Sequence, residues 1–207
     1  KRRVVLVDNP QGQQATIRLG ILAYDVRSDD KFAGSVAGQI LSAGIDSRLG
    51  RYVRAEKGLT YGVYAFFRPN RFGSGEFTGT VDTKPDTAAD AVEAMIKVFD
   101  DLKRENVTAA ELSDAQQRVA GDMLMETQQI KQQADLRVNQ ILNGYPIDYY
   151  DNYPQRIAEV TPDQVRAVMN QYVQNDRMTI VVVAPASVKA QLEKLGEVEV
   201  VPMPLKR

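Results

Sequence analysis

The alternation of apolar and polar positions sets most of the elements. Val4 to Val7 is an apolar run and Asn9-Pro10-Gln11-Gly12 a turn. Ala15, Ile17, Leu19, Ile21 and Ala23 then recur at every second position, so the chain is expected to open as a hairpin of two strands. Phe32, Val36 and Ile40 follow at helical spacing behind Asp29 and Asp30, which can cap a helix, and Gly44 closes it. Between Ser47 and Phe67 the period changes. Leu49 and Val53, with Tyr52 beside them, make a helical stripe that runs to Lys57, and Gly58 supplies the stop. From Leu59 the period is two: Leu59, Tyr61, Val63, Ala65 and Phe67 share one face of a strand over 59–67. The cluster Pro69 to Gly75 turns the chain into a strand over 76–82, expected to pair antiparallel with 59–67.

Helices dominate the next hundred residues. Thr87 and Asp90 have capping-box spacing ahead of a face formed by Ala91, Ala94, Met95, Val98, Phe99 and Leu102. Thr108 and Glu111 repeat the device. The helical pattern behind them runs to Gly144 and Pro146, longer than a usual globular helix, so a break is expected near Thr127. Thr161-Pro162 is a cap followed by proline at the first helical position, with Val165, Val168, Met169 and Tyr172 as the buried stripe. Met178 to Val183 suits a central strand, Ser187 to Leu195 a short helix ended by Gly196, and Val198 to Val201 an edge strand. The tail Pro202 to Leu205 reads as extended and peripheral. This order predicts one α+β domain over 1–207, with a mostly antiparallel or mixed sheet covered by helices on one face.

Composition narrows the function. The 207 residues are 43% hydrophobic, enough for a sizeable core. Twenty-six basic residues against 27 acidic ones leave a net charge of −1, without the basic field that nucleic acid or an anionic membrane attracts. No apolar run reaches the roughly 20 residues of a membrane span. The chain begins without Met, as a piece processed or excised from something longer would. Having no cysteine excludes disulfides and thiolate chemistry and is compatible with periplasm and cytosol, of which the bacterial periplasm is favoured.

The chain also has no histidine. A zinc site draws about three ligands from His, Cys and carboxylates, so no metal or other cofactor is expected within this chain. A serine triad lacks its base, and no P-loop or Gly-x-Gly-x-x-Gly string supports nucleotide binding. The pairs Asp29-Asp30 and Asp100-Asp101 read as caps or solvated surface. Tyr145, Tyr149, Tyr150 and Tyr153 could form a stacking platform, but without a basic groove they read better as packing.

The segment SRLGRYVRAEKGLTYG, with SRL followed by R-x-x-x-G-L-x-Y, resembles the C-terminal, metal-free domain of the pitrilysin/insulinase family of zinc peptidases, which includes the mitochondrial processing peptidases and cytochrome bc1 core proteins. The resemblance extends from the opening strand to TPDQV at Thr161 and the closing IVVVAP strand. It implies that Arg54 and Tyr61 contact a peptide substrate, at a zinc site carried by an N-terminal domain or partner subunit of the same family. The family's catalytic H-x-x-E-H motif cannot exist here. On the residues alone, Arg54 is a cation suited to a helix C-terminus and Tyr61 an ordinary strand aromatic. Arg48, the nearest rival, is expected to pair with an acid. The competing class is a proteolytically inactive assembly protein of the same fold.

Overall fold

The computed structural model describes residues 1–203. Six strands form one mixed sheet: β1 (Arg3–Asp8), β2 (Ala15–Leu22), β3 (Val63–Arg68), β4 (Glu76–Thr83), β5 (Thr179–Ala184) and β6 (Val198–Pro202). Their spatial order is β3-β4-β2-β5-β1-β6. The expected opening hairpin does not form, because β5 lies between β1 and β2, parallel to the first and antiparallel to the second. The β-branched run Ile180-Val181-Val182-Val183 fits a strand paired on both sides. The loop from Asn9 to Gln14 is long enough to step over it. The expected antiparallel pairing of β3 and β4 does form, with Val63 opposite Val81 and Arg68 opposite Glu76.

Period-two burial divides the sheet into a covered and an open face. Val4, Leu6, Ile17, Leu19, Ile180 and Val182 face the helices and are buried, whereas Val5, Val7, Arg18, Val181 and Val183 are only partly covered or exposed. The covering helices are α1 (Asp30–Ser42), α2 (Ala88–Arg104), α3 (Ala109–Glu126), α4 (Ile130–Asn143), α5 (Tyr153–Ala158), α6 (Pro162–Tyr172) and α7 (Lys189–Leu192). Among the described residues no helix is long and apolar enough to cross a membrane.

Helix ends test the local chemistry. The capping boxes at Thr108/Glu111 and Thr161/Gln164 are both formed, and the long helical stretch breaks after Glu126 with Thr127 at the cap. Two caps differ from expectation. Ser28 Oγ, not Asp29, accepts from the Asp30 N–H at 3.2 Å, which leaves Asp29 to pair with Arg156 at 3.1 Å. Thr87 makes no cap, because a tight turn over Pro85–Thr87 runs straight into α2 and its hydroxyl bonds to Thr83 Oγ1 at 2.7 Å. The expected helix over 187–195 is divided into short turns around α7. Pro202 ends β6 instead of starting a tail, and Pro204 and Leu205 lie outside the described residues.

Candidate functional site

The Ser47–Phe67 stretch begins as a helix at Arg48 and continues as a π-helix over Gly50–Glu56. Leu49 and Val53 anchor it in the core with no exposed surface. A Cβ on Gly50 would lie 2.4 Å from the Gly44 carbonyl oxygen, so the helix starts against bare backbone. At its other end Gly58 takes φ +63°. Its N–H donates to the Arg54 carbonyl at 3.2 Å and the Leu59 N–H to the Val53 carbonyl at 3.1 Å. This nested pair is one residue wider than the usual glycine-ended α-helix stop, as a π-helical turn requires.

The strand after Gly58 starts later than the sequence period implies. Residues 59–62 are an irregular connection, and β3 begins at Val63. Threonine hydroxyls replace the strand ladder here: Thr60 Oγ1 donates to the Asp82 carbonyl at 2.6 Å and accepts from the Gly62 N–H at 3.0 Å. Thr83 Oγ1 donates to the Leu59 carbonyl at 2.6 Å. Tyr61 therefore leaves the buried row of Val63 and Ala65, and it is 92% exposed.

Arg54 is half-buried in the last turn of the π-helix. The 59–62 connection that carries Tyr61 starts five positions after Arg54, and the two side chains do not bond to each other. Among the described residues, neither the Arg54 guanidinium nor the Tyr61 hydroxyl has a hydrogen bond or ion pair. Arg48 is different. Its guanidinium grips both Glu111 oxygens at 2.9 and 3.1 Å, and Arg51 reaches the same carboxylate at 3.5 Å. The Arg48 contact, with help from the Thr108 N–H, holds the Glu111 carboxyl at about 2. Arg48 is thus committed to the fold, as expected, while Arg54 and Tyr61 present free donors suited to an oxygen that gains charge.

No zinc fits this chain: it has no His or Cys, and among the described residues no three acidic groups are placed to hold a metal ion. The tyrosine cluster packs, as expected. Tyr145 stacks on Tyr149 at 4.0 Å, and the buried Lys31 ammonium lies 4.9 to 5.4 Å from the Phe32, Tyr145 and Tyr149 rings.

Sequence reasoning missed a second feature, at the far end of the β3–β4 hairpin. A cleft of about 660 Å³ opens there, lined by Arg18, Gly20, Leu22, Arg68, Glu76 and Arg177 among others. Its residues come from five separate segments, and only their juxtaposition distinguishes the arginines from ordinary surface cations.

The model of the peptidase M16 inactive domain matches residues 1–119. This chain belongs to that family. As an M16 inactive domain it bears out the resemblance to the non-zinc half of pitrilysin-type peptidases. Over 89% of its length it superposes on 44% of a peptidase M16 inactive domain chain from Pseudomonas fluorescens, with a TM-score of 0.81 and 28% identity. The inactive peptidase domain described from Bordetella parapertussis shares the fold, with a TM-score of 0.71 at 15% identity, over 83% of this chain and 92% of that one. Among curated relatives, a non-peptidase homolog, YmxG, of Helicobacter pylori is 23% identical over 148 residues, 70% of this chain and 33% of the relative. An uncharacterized zinc protease, YmxG, of Bacillus subtilis is 25% identical over 124 residues, 58% of this chain and 29% of the relative. The M16 inactive domain thus spans about a third of the length of these two relatives.

Proposed function

We propose that this chain is the peptide-binding half of a zinc-dependent peptidase, one domain of a longer chain or one subunit of a pair, completing an active site whose zinc ligands lie in the other half. The observation that carries the reading is the pair of free donors at the Gly58 junction. Among the described residues the Arg54 guanidinium, in the last turn of the π-helix, and the Tyr61 phenol, on the connection pinned by threonine hydroxyls, have no hydrogen-bond or ion-pair partner. Arg54 and Tyr61 then bind the substrate carbonyl oxygen and hold it as its charge grows; a zinc held by the ligands of the other half would activate the attacking water.

Reconstitution tests the reading. Alone, the chain should hold no stoichiometric zinc after dialysis and cleave no peptide. Mixed with or fused to a family half that carries H-x-x-E-H, it should restore chelator-sensitive cleavage. Failure to raise activity above that of the zinc-bearing half would reject the role.

A second reading is favoured by one observation. Leu124, Met125, Ile130, Val138, Ile141 and Leu142 are exposed along the end of α3 and the length of α4, an apolar row of the kind that protein interfaces cover. In an assembly protein that row would be the functional surface and Arg54 and Tyr61 ordinary residues. The non-peptidase homolog from Helicobacter pylori keeps this reading in play.

A further inference from the structure

Along β2, the side chains on the open face of the sheet are Thr16, Arg18, Gly20 and Leu22, so the row has a gap at Gly20. A Cβ built there meets nothing within 4 Å. The residues paired with Gly20 on either side are Thr78 of β4 and Thr179 of β5, both short, and the gap is therefore three strands wide. This is the floor of the 660 Å³ cleft. Leu22, 72% exposed, and Tyr172 add apolar surface, and Gln171 and Gln174 stand at the rim.

The lining charge is unbalanced. Arg18, Arg68 and Arg177 face one carboxylate, Glu76, in a chain whose net charge is −1. Arg68 lies directly across from Glu76 in the strand register, yet the two make no ion pair, and the Arg68 guanidinium rests over the Phe66 ring at 4.6 Å. Arg18 has no ion pair with any described carboxylate. Among the described residues the Arg177 guanidinium donates only to Gln174 Oε1, at 3.0 Å. The Tyr172 phenol adds no negative charge: burial and its 2.7 Å bond to Asp30 push it up to about 12.

We propose that this cleft binds a carboxylate carried by an extended peptide segment, a proposal that rests on the peptide-binding reading of the chain. Three guanidiniums at the margins of a floor of small residues suit a carboxylate on a chain lying along the open face of the sheet. Guanidiniums also pair with phosphate, but the backbone N–H groups of Gly20, Thr78 and Thr179, which could complete a phosphate nest, sit within paired strands. The cleft and the Gly58 junction lie at opposite ends of β3. Six strand residues span roughly 20 Å, so a peptide extended along the face places its carboxylate about six residues from the bond held by Tyr61.

Fluorescence anisotropy on the 207-residue chain tests this with three labelled peptides of one sequence: one with Glu and an amidated C-terminus, one with Gln and an amidated C-terminus, and one with Gln and a free C-terminus. A carboxylate-bearing peptide should bind about fivefold more tightly than the amidated Gln peptide at low salt, and the advantage should shrink at high salt. Which of the two gains identifies the source of the carboxylate. Replacing both Arg18 and Arg68 by Gln should erase the ratio, with circular dichroism confirming the fold. Weak carbonyl contacts at the junction would lower all affinities together and leave the ratio intact, so failure there is distinguishable from failure here. Equal affinity for all three peptides, a ratio that survives the double substitution, or equally effective competition by inorganic phosphate would overturn the proposal.

Discussion

Arg48 holds both carboxylate oxygens of Glu111, at 2.9 and 3.1 Å, and so ties the first turn of the site helix to the first turn of α3. Glu111 simultaneously accepts from the Thr108 N–H at 3.1 Å as the third residue of a capping box. The two roles can be separated, because glutamine also completes a capping box but cannot form the ion pair.

Glu111→Gln should therefore destabilise the fold by about 2 kcal/mol at neutral pH. The carboxyl is held at about 2, below its ordinary 4.5, so the pair's contribution is present above pH 4.5 and lost as pH falls through 2. Melting curves of both proteins across that window should converge toward the acid end. A gap of constant size down to pH 2 would show that the ion pair is not its source.

Gly58 and Gly121 make a matched comparison, since a Cβ at either meets nothing within 4 Å. Gly58 has φ +63°, whereas Gly121 lies inside α3. Gly58→Ala should cost about 1 kcal/mol through the backbone alone, and Gly121→Ala should gain about as much. Chemical denaturation of the two variants should move the midpoint in opposite directions.

Gly34 sets how closely α1 approaches Tyr24, in the segment that follows β2. A Cβ there would sit 1.8 Å from the Tyr24 hydroxyl oxygen, in a core that has Tyr24 buried. Gly34→Ala should cost about 1 to 3 kcal/mol by overpacking. Adding Tyr24→Phe removes the clashing oxygen and should recover part of that loss, a coupling that a double-mutant cycle reads directly. Additive effects would mean that Tyr24 is free to move away.

Local signals were readable in the sequence where one residue type solves one backbone problem. Gly58, the boxes at Thr108 and Thr161, and the break at Thr127 depend only on neighbours a few residues away. The insertion of β5 between β1 and β2 is a choice between distant partners, and Val4 to Val7 would satisfy either pairing. The late start of β3 was hidden because the hydroxyls of Thr60 and Thr83 substitute for the ladder bonds that the alternation of Leu59, Tyr61 and Val63 implies. As for the candidate site, the resemblance singled out Arg54 and Tyr61, and the Tyr61 exposure follows from that displaced strand start. The π-helix leaves no residue signature, and the arginine cleft exists only once five segments meet.

The central claim is that Arg54 and Tyr61 act on the reacting carbonyl, and the most direct measurement is the steady-state kinetics of Tyr61→Phe in the enzyme reconstituted with its zinc-bearing half. The substitution removes one hydroxyl that has no hydrogen-bond partner among the described residues, so the melting temperature should not change. The kcat/KM should fall by roughly 10²-fold, mainly in kcat, as expected for loss of one donor to a developing oxyanion. Arg54→Ala should cost at least as much. Full activity in both variants, or a loss that tracks unfolding, would contradict the account and leave the assembly reading in its place.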